Sequence, residues 1–399
     1  MRYATITDRL ADLGGEKWQL HSLGRQRKAE GHDVIEMTIG EPDVPTPLEL
    51  IEVASAAMFA GRTSYSNGRG ETALLNVLAT HYSALADRPI TDDQILCFPG
   101  TQTALYAALM GLTDAGDEVL VGDPMYATYG GLIAASGATL VPVPLRPDRN
   151  FEMSAGDIAA RVTSRTRVIL LNSPHNPTGS VLTLNHLQQI AELAIKHDFW
   201  IVSDEVYSDM LFDGAGFVSP LSLPEVADRV VTVSSISKSH ASPGFRSGWC
   251  IAPAEFTHRL LPLAETMLFG NQPFIADMTA AALSKPSTVA QQMRQRFARR
   301  AGGLFERLHG VAGLQVNQPQ AGMFALINID STGMTGDAYA LDLLNKTGVA
   351  VMPGAAFGAA LETWVRVALT IEDTAFDDAC ERIAAHAEHC VSTRIKISA

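Results

Sequence analysis

Between Ile95 and Ala252 the chain repeats one pattern, and that pattern limits the folds open to it. Seven short apolar runs, Ile95–Phe98, Glu118–Val121, Thr139–Val143, Val168–Leu171, Trp200–Val202, Val230–Val233 and Trp249–Ala252, are separated by helix-length segments such as Thr101–Leu112 and Leu184–His197. A run too short for a helix, yet apolar at successive positions, reads as a strand buried on both faces. Strands alternating with amphipathic helices build a mostly parallel sheet covered on both sides. The expected fold is therefore α/β, with a large, mostly parallel seven-stranded sheet flanked by helices.

After about Lys285 the pattern changes to a basic helical stretch, Gln291–Arg300, followed by Val311–Val316, Met323–Ile329 and Trp364–Leu369 as short strands. This predicts a smaller α/β domain bordered by the turn Gly40-Glu41-Pro42-Asp43, and so built from both chain ends. Two cores suit 399 residues, because single cores stop growing near ~250–300 residues. The expected division is residues 1–45 as an N-terminal arm and part of the small domain, 46–285 as the large domain, and 286–399 as the small C-terminal domain.

A formal charge of −13 argues against a nucleic-acid surface, which needs clustered Lys and Arg, and favours small-molecule partners. Cys97, Cys250, Cys380 and Cys390 are too few and too scattered for a disulfide framework. Residues 1–23 lack the apolar core of a secretory signal, and no later run reaches ~18 apolar residues. The expectation is a cytoplasmic protein with no membrane role. His386-x-x-His389-Cys390 is read as one solvated face of a terminal helix rather than a metal site.

Ligands on open α/β sheets bind beyond the carboxyl ends of the strands, near a switch in strand order. Polar clusters follow five of the apolar runs: Gly100-Thr101, Asp123-Pro124, Asn172–Gly179, Asp204–Tyr207 and Ser234–Lys238. Lys238 offers an amine that becomes nucleophilic once burial or a nearby positive charge lowers its pKa. Arg246, eight positions on, has a guanidinium fork suited to phosphate; Ser235 and Ser237 add hydroxyls, and Gly100-Thr101-Gln102 can present amides at a helix start. Asp204 ends an apolar run, where a buried carboxylate calls for a cationic partner or strong hydrogen bonds. Asn176 and Tyr207 bring an amide and a phenol able to donate to an ionised oxygen.

Taken together, Ser173-Pro174-His175-Asn176-Pro177-Thr178-Gly179, Ser203-Asp204-Glu205-Val206-Tyr207, Ser235-Ile236-Ser237-Lys238 and Gly244-Phe245-Arg246 resemble the signature set of the class I and II aminotransferases, fold-type I pyridoxal-phosphate enzymes. The resemblance runs roughly from Ile39 to Leu369. It implies pyridoxal 5'-phosphate held as a Schiff base on Lys238, with Asp204 as partner of the pyridine nitrogen and Lys238, Asp204 and Tyr207 as the catalytic group. It also implies that Tyr126 stacks on the ring, that Gly40, Asn176 and Arg366 meet the substrate, and that Arg366 clamps its α-carboxylate. Tyr65 resembles the tyrosine that reaches the phosphate of a neighbouring subunit, so a homodimer with shared sites is implied. The implied activity is exchange of an amino group between an L-amino acid and a 2-oxo acid in a ping-pong cycle, with donor and acceptor left open.

Pro243 departs from the pattern, standing where many relatives carry a hydroxyl, and Thr101-Gln102 varies the phosphate loop. The same site also fits a carbon-sulfur β-lyase or a related synthase. Ser235-x-x-Lys238 with Lys346-Thr347-Gly348 matches part of a serine-acylating penicillin-recognising enzyme, but Ser203-Asp204-Glu205 is a poor and misplaced third element.

Overall fold

The computed structural model describes residues 2–398 apart from Asp12 and Gly14; Met1 and Ala399, inside the expected outer domain limits, lie outside the described residues. In chain order the strands are β1 (Ile35–Met37), β2 (Ile95–Phe98), β3 (Glu118–Asp123), β4 (Thr139–Pro144), β5 (Thr166–Asn172), β6 (Trp200–Asp204), β7 (Val230–Ser235), β8 (Gly248–Ile251), β9 (Gln315–Val316), β10 (Phe324–Asn328), β11 (Val349–Pro353) and β12 (Trp364–Ala368).

The seven expected apolar runs form one sheet in the order β2-β8-β7-β6-β5-β3-β4. All its neighbours pair in parallel except β8, which runs antiparallel to both β2 and β7. Successive residues feed opposite faces, as a pleated strand requires. Ile169 and Leu171 of β5 join one hydrophobic cluster with Leu120, Ile201 and Val230, while Val168 and Leu170 join another with Val119, Val202 and Val231. The helix Leu184–His197 shows why the flanking segments are helical. Leu187, Ile190, Ala191 and Ala194 form one buried stripe, Thr183 caps the start by accepting from the His186 amide, and Asp198 ends it in the left-handed region.

β4 differs from its reading as a buried strand. It lies at the sheet edge and is partly exposed, which accommodates Pro142 and Pro144, since an edge need not donate every amide.

A smaller sheet has the order β1-β11-β12-β10-β9, parallel between β1 and β11 and antiparallel elsewhere. Its core draws on both chain ends: Ile35 and Met37 pack with Phe324, Val351, Val365, Val367 and Phe376. Two of its strands, β1 and β11, were not among those expected. The expected strand Val311–Val316 is mostly a turn, because Gly310, Ala312 and Gly313 take positive φ and only Gln315–Val316 pairs. No helix of the described residues is long and apolar enough to cross a membrane.

In the large sheet, strand order turns between β3 and β5: the chain leaves β3 for the β4 edge, then returns to β5 and proceeds through β6 to β7. The carboxyl ends of β5, β6 and β7 therefore open beside a switch point, the position where such sheets place ligands.

Candidate active site

A cavity of about 220 Å³ sits at those strand ends. Of the site residues expected from sequence, Gly40, Thr101, Gln102, Tyr126, Asn176, Asp204, Tyr207, Ser235, Ser237, Lys238, Arg246 and Arg366 all line it. Tyr65 does not; it is 87% exposed, with its ring edge-on to Phe269.

Lys238 and Arg246 belong to the connection between β7 and β8. Ser235 closes β7 and caps the short helix Ile236–Ser239 by accepting from the Ser237 amide, which turns Lys238 back over the sheet end. Its Nζ donates to the Gly40 carbonyl at 2.8 Å. Burial, reinforced by the positive charges of Arg366 and Arg246 and opposed by Glu41, lowers its pKa to about 8. A buried amine that titrates near neutrality can serve as both nucleophile and base.

Arg246 ends the Pro243–Phe245 turn in the left-handed region and donates to the Pro243 carbonyl at 2.9 Å. Its guanidinium lies against Gly100, where any Cβ would collide with it; Gly100 itself has φ of +85°. The helix Thr101–Leu112 begins there, so amides and guanidinium face the same space. Thr101 Oγ1 is buried without a hydrogen-bond partner. An unsatisfied hydroxyl, a helix start and an arginine around one hollow are the donor set a phosphate requires.

Asp204 ends β6 and pairs with Asn172 across β5. Its Oδ2 accepts from the Tyr129 hydroxyl at 2.7 Å, and its Oδ1 from the Val206 amide at 3.2 Å. Burial outweighs both bonds and pushes its pKa up to about 6, so a cation at the cavity floor would stabilise the carboxylate further. Tyr129 was not singled out from the sequence. It follows Tyr126 by three residues and packs edge-on against it, yet nothing in its neighbours announces a carboxylate 75 positions away.

Asn176 and Tyr207 enter from the loops after β5 and β6. The Asn176 amide nitrogen of the backbone donates to Asn172 Oδ1, and its side-chain oxygen accepts from Arg366 at 3.1 Å. Tyr207 is buried edge-on to Phe324, and burial raises its phenol well above the ordinary value. It is therefore a hydrogen-bond donor at neutral pH.

Arg366 stands in the middle of β12, in the smaller sheet, and is 2% exposed. Its guanidinium donates to the Thr38 carbonyl and to Asn176 and lies between the rings of Phe324 and Phe357. Burial lowers its pKa to about 10. Among the described residues no carboxylate pairs with it, so its fork remains suited to an incoming carboxylate. Gly40 is a close-approach position: a Cβ there would strike the Phe324 ring. Trp18, Ile39 and Phe324 also line the cavity; as apolar residues near a chain end or inside a strand, they carried no chemical signal in the sequence.

The residues of the penicillin-type reading do not assemble. Lys346-Thr347-Gly348 closes the helix Gly336–Thr347, and none of the three lines the cavity. The metal reading also changes, because His386 is buried rather than solvated.

The geometry agrees with what known proteins show. Residues 32–383 match the model of the family described as aminotransferase class I and II. The chain belongs to that family. It is 40% identical to an arginine–pyruvate transaminase of Pseudomonas aeruginosa over 96% of this chain and 98% of that protein. It is 32% identical to an aspartate aminotransferase of Musicola paradisiaca, covering 89% of each chain. Among solved structures, an aromatic aminotransferase from Pyrococcus horikoshii superposes with a TM-score of 0.86 at 30% identity, covering 91% of this chain and 98% of the other. The Thermus thermophilus aspartate aminotransferase with maleate gives a TM-score of 0.90 at 27% identity, covering 97% of this chain and all of that one. This aminotransferase thus has the fold-type I architecture and transfers an amino group between an amino acid and a 2-oxo acid. Pyridoxal phosphate is the cofactor its family implies.

Proposed function

We propose that this enzyme holds pyridoxal 5'-phosphate on Lys238 and transfers an amino group from a basic amino acid, arginine foremost, to pyruvate. The observation that carries the cofactor assignment is the convergence of an amine titrating near neutrality, a buried carboxylate and an unsatisfied phosphate cradle on one cavity. When bound, the cofactor supplies an electron-withdrawing ring that spreads charge developing at the substrate α-carbon.

The protein's groups divide the remaining work. Arg246, Thr101, Gln102, Ser235 and Ser237 would hold the phosphate, Asp204 would keep the pyridine nitrogen protonated, Tyr126 would cover the ring, and Asn176 and Tyr207 would donate to its oxygen. Arg366 orients the substrate by its α-carboxylate, with Gly40 leaving room beside it. With the cofactor bound, Lys238 would serve as the base that takes the substrate's α-proton on Nζ and holds it for return.

Two facts support a basic donor. The relative that is 40% identical along nearly its whole length is named for arginine and pyruvate. Beyond Lys238, Arg246 and Arg366, the described lining supplies no cation for a side-chain carboxylate, while Glu41 lies near enough to act on Lys238. Single-turnover absorbance with arginine and aspartate, each without oxo acid, tests this. Arginine should convert the cofactor at least ~10-fold faster, the effect of ~1.4 kcal/mol in the barrier. Equal rates would refute the donor assignment and leave transamination standing.

Arg366→Lys should raise KM for every amino acid and lower kcat/KM by on the order of 10²–10³-fold, because a point charge cannot reproduce the bidentate fork. Steady-state kinetics with two unrelated donors checks it, since an effect confined to one donor would place Arg366 at the side chain instead.

The homodimer is part of the same proposal. Tyr65, Phe59 and Phe269 are strongly exposed aromatics, which suits a surface covered by a second copy, with Tyr65 reaching that copy's phosphate cradle. We place the domain boundaries after residues 45 and 285, and the enzyme in the cytoplasm, where its free cysteines would stay reduced.

A further inference from the structure

The helices Gly336–Thr347 and Asp373–Ser398 pack together away from the catalytic cavity, and neither lines it. His386 and Cys390, one turn apart on the second helix, face Asp342 on the first. His386 is 3% exposed and Cys390 9%. His386 Nε2 lies 2.9 Å from Asp342 Oδ2, and Cys390 Sγ lies 3.8 Å from each ring nitrogen. One ligand atom from each of the three residues falls within 4.8 Å of the others.

A second observation points to the same place. Tyr339, fully buried and edge-on to the His386 ring, has a hydroxyl without a hydrogen-bond partner, and Cys390 and Asp342 are the acidic groups acting on it. Above the cluster a surface hollow bordered by Met334, His389 and Thr393 reaches Cys390 and Asp342.

We propose that Asp342, His386 and Cys390 bind a thiophilic divalent ion of the zinc class, joining the C-terminal helix to the helix Gly336–Thr347. Mixed oxygen, imidazole and thiolate donors select such an ion over magnesium or calcium. In a tetrahedral site, nitrogen and sulfur ligands stand roughly 3.5 Å apart, close to the 3.8 Å already present. Seating the ion requires Cys390 to rotate toward Asp342 and Lys346 to release its ion pair with that carboxylate. Lys346 is half exposed and the pair is a surface one, so little opposes its release. As the metal–sulfur bond forms, the thiol proton passes to solvent; the proton that Nε2 donates to Asp342 is given up to solvent and one is taken up on Nδ1, so imidazole binds through Nε2 as the Nδ1–H tautomer. Water from the hollow completes the coordination.

The test uses the full-length holoenzyme in thiol-free buffer, titrated with Co²⁺ as a spectroscopic probe and with Zn²⁺ by equilibrium dialysis. The expected result is one equivalent per chain, tetrahedral Co²⁺ bands in the red clear of the cofactor, and a higher Tm with Zn²⁺. Cys390→Ser and His386→Ala should each weaken binding at least ~10-fold, while transamination is unchanged. Sub-stoichiometric uptake, a pale octahedral spectrum, or equal affinity in Cys390→Ser and the parent would overturn the proposal. Cys390→Ser, a small change at the hollow's edge, keeps the test decisive if His386→Ala does not fold.

Discussion

Lys238→Ala should lose transamination by at least ~10⁴-fold, the upper range for removing an acid–base group, because the same substitution removes the covalent anchor. The visible absorbance that marks cofactor joined to the lysine should vanish with it. A variant that keeps both would remove Lys238 from the chemistry. The same change should stabilise the cofactor-free protein. Lys238 has a pKa of about 8 when folded against an ordinary 10.5, so folding discourages its charge. Below pH 8 the residue is charged in both states and the full penalty is present. Between 8 and 10.5 the unfolded chain holds more protons, so stability rises with pH. The Tm advantage of the alanine variant over the parent apoprotein should therefore be largest below pH 8 and fade toward 10.5. A parallel pair of Tm curves across that window would mean that the folded lysine is not depressed.

The second large effect is expected from Asp204→Asn. The amide keeps the shape of the side chain but cannot carry the negative charge that a protonated pyridine needs. Removing one partner of a buried charge pair costs about 3–5 kcal/mol, which corresponds to a loss on the order of 10²–10³-fold. Stopped-flow half-reactions should show that loss in the rate constant at saturating amino acid, accompanied by weaker cofactor binding in titrations of the apoprotein. Cofactor affinity of the parent should also fall as pH drops through about 6, where the cofactor-free carboxylate takes up a proton; the asparagine variant should lack that inflection. An unchanged saturating rate would show that the carboxylate does not act on the ring.

What could be read from the chain followed where its physics is local. The strands β5, β6 and β7 announced themselves because a strand buried on both faces must be apolar throughout, and their polar ends stood out against that background. Lys238, Asp204, Asn176 and Arg246, which the fold gathers round one cavity, stood out in the sequence for the same reason. Strands β1 and β11 were not, since Ile35–Met37 is too short to show a period and Val349–Pro353 follows directly on a helix. Tyr129 was missed because its role depends on a carboxylate brought to it by sheet order. His386 was misread as solvated because charged residues surround it in sequence, whereas a neighbouring helix covers its face in space.

Arg366 sits on the smaller sheet, yet it bonds Asn176 from a loop of the larger one. In the proposed reaction, recognition by Arg366 and chemistry at Lys238 are thus mounted on separate frameworks that meet where Arg366 bonds Asn176 and Lys238 bonds Gly40. On that proposal, selection can retune what the enzyme accepts through Trp18, Ile39, Glu41 or Phe324 and leave Lys238 and Asp204 as they are. Divergence of substrate among proteins of this architecture should accordingly accumulate on the side that carries the arginine and the arm leading into it.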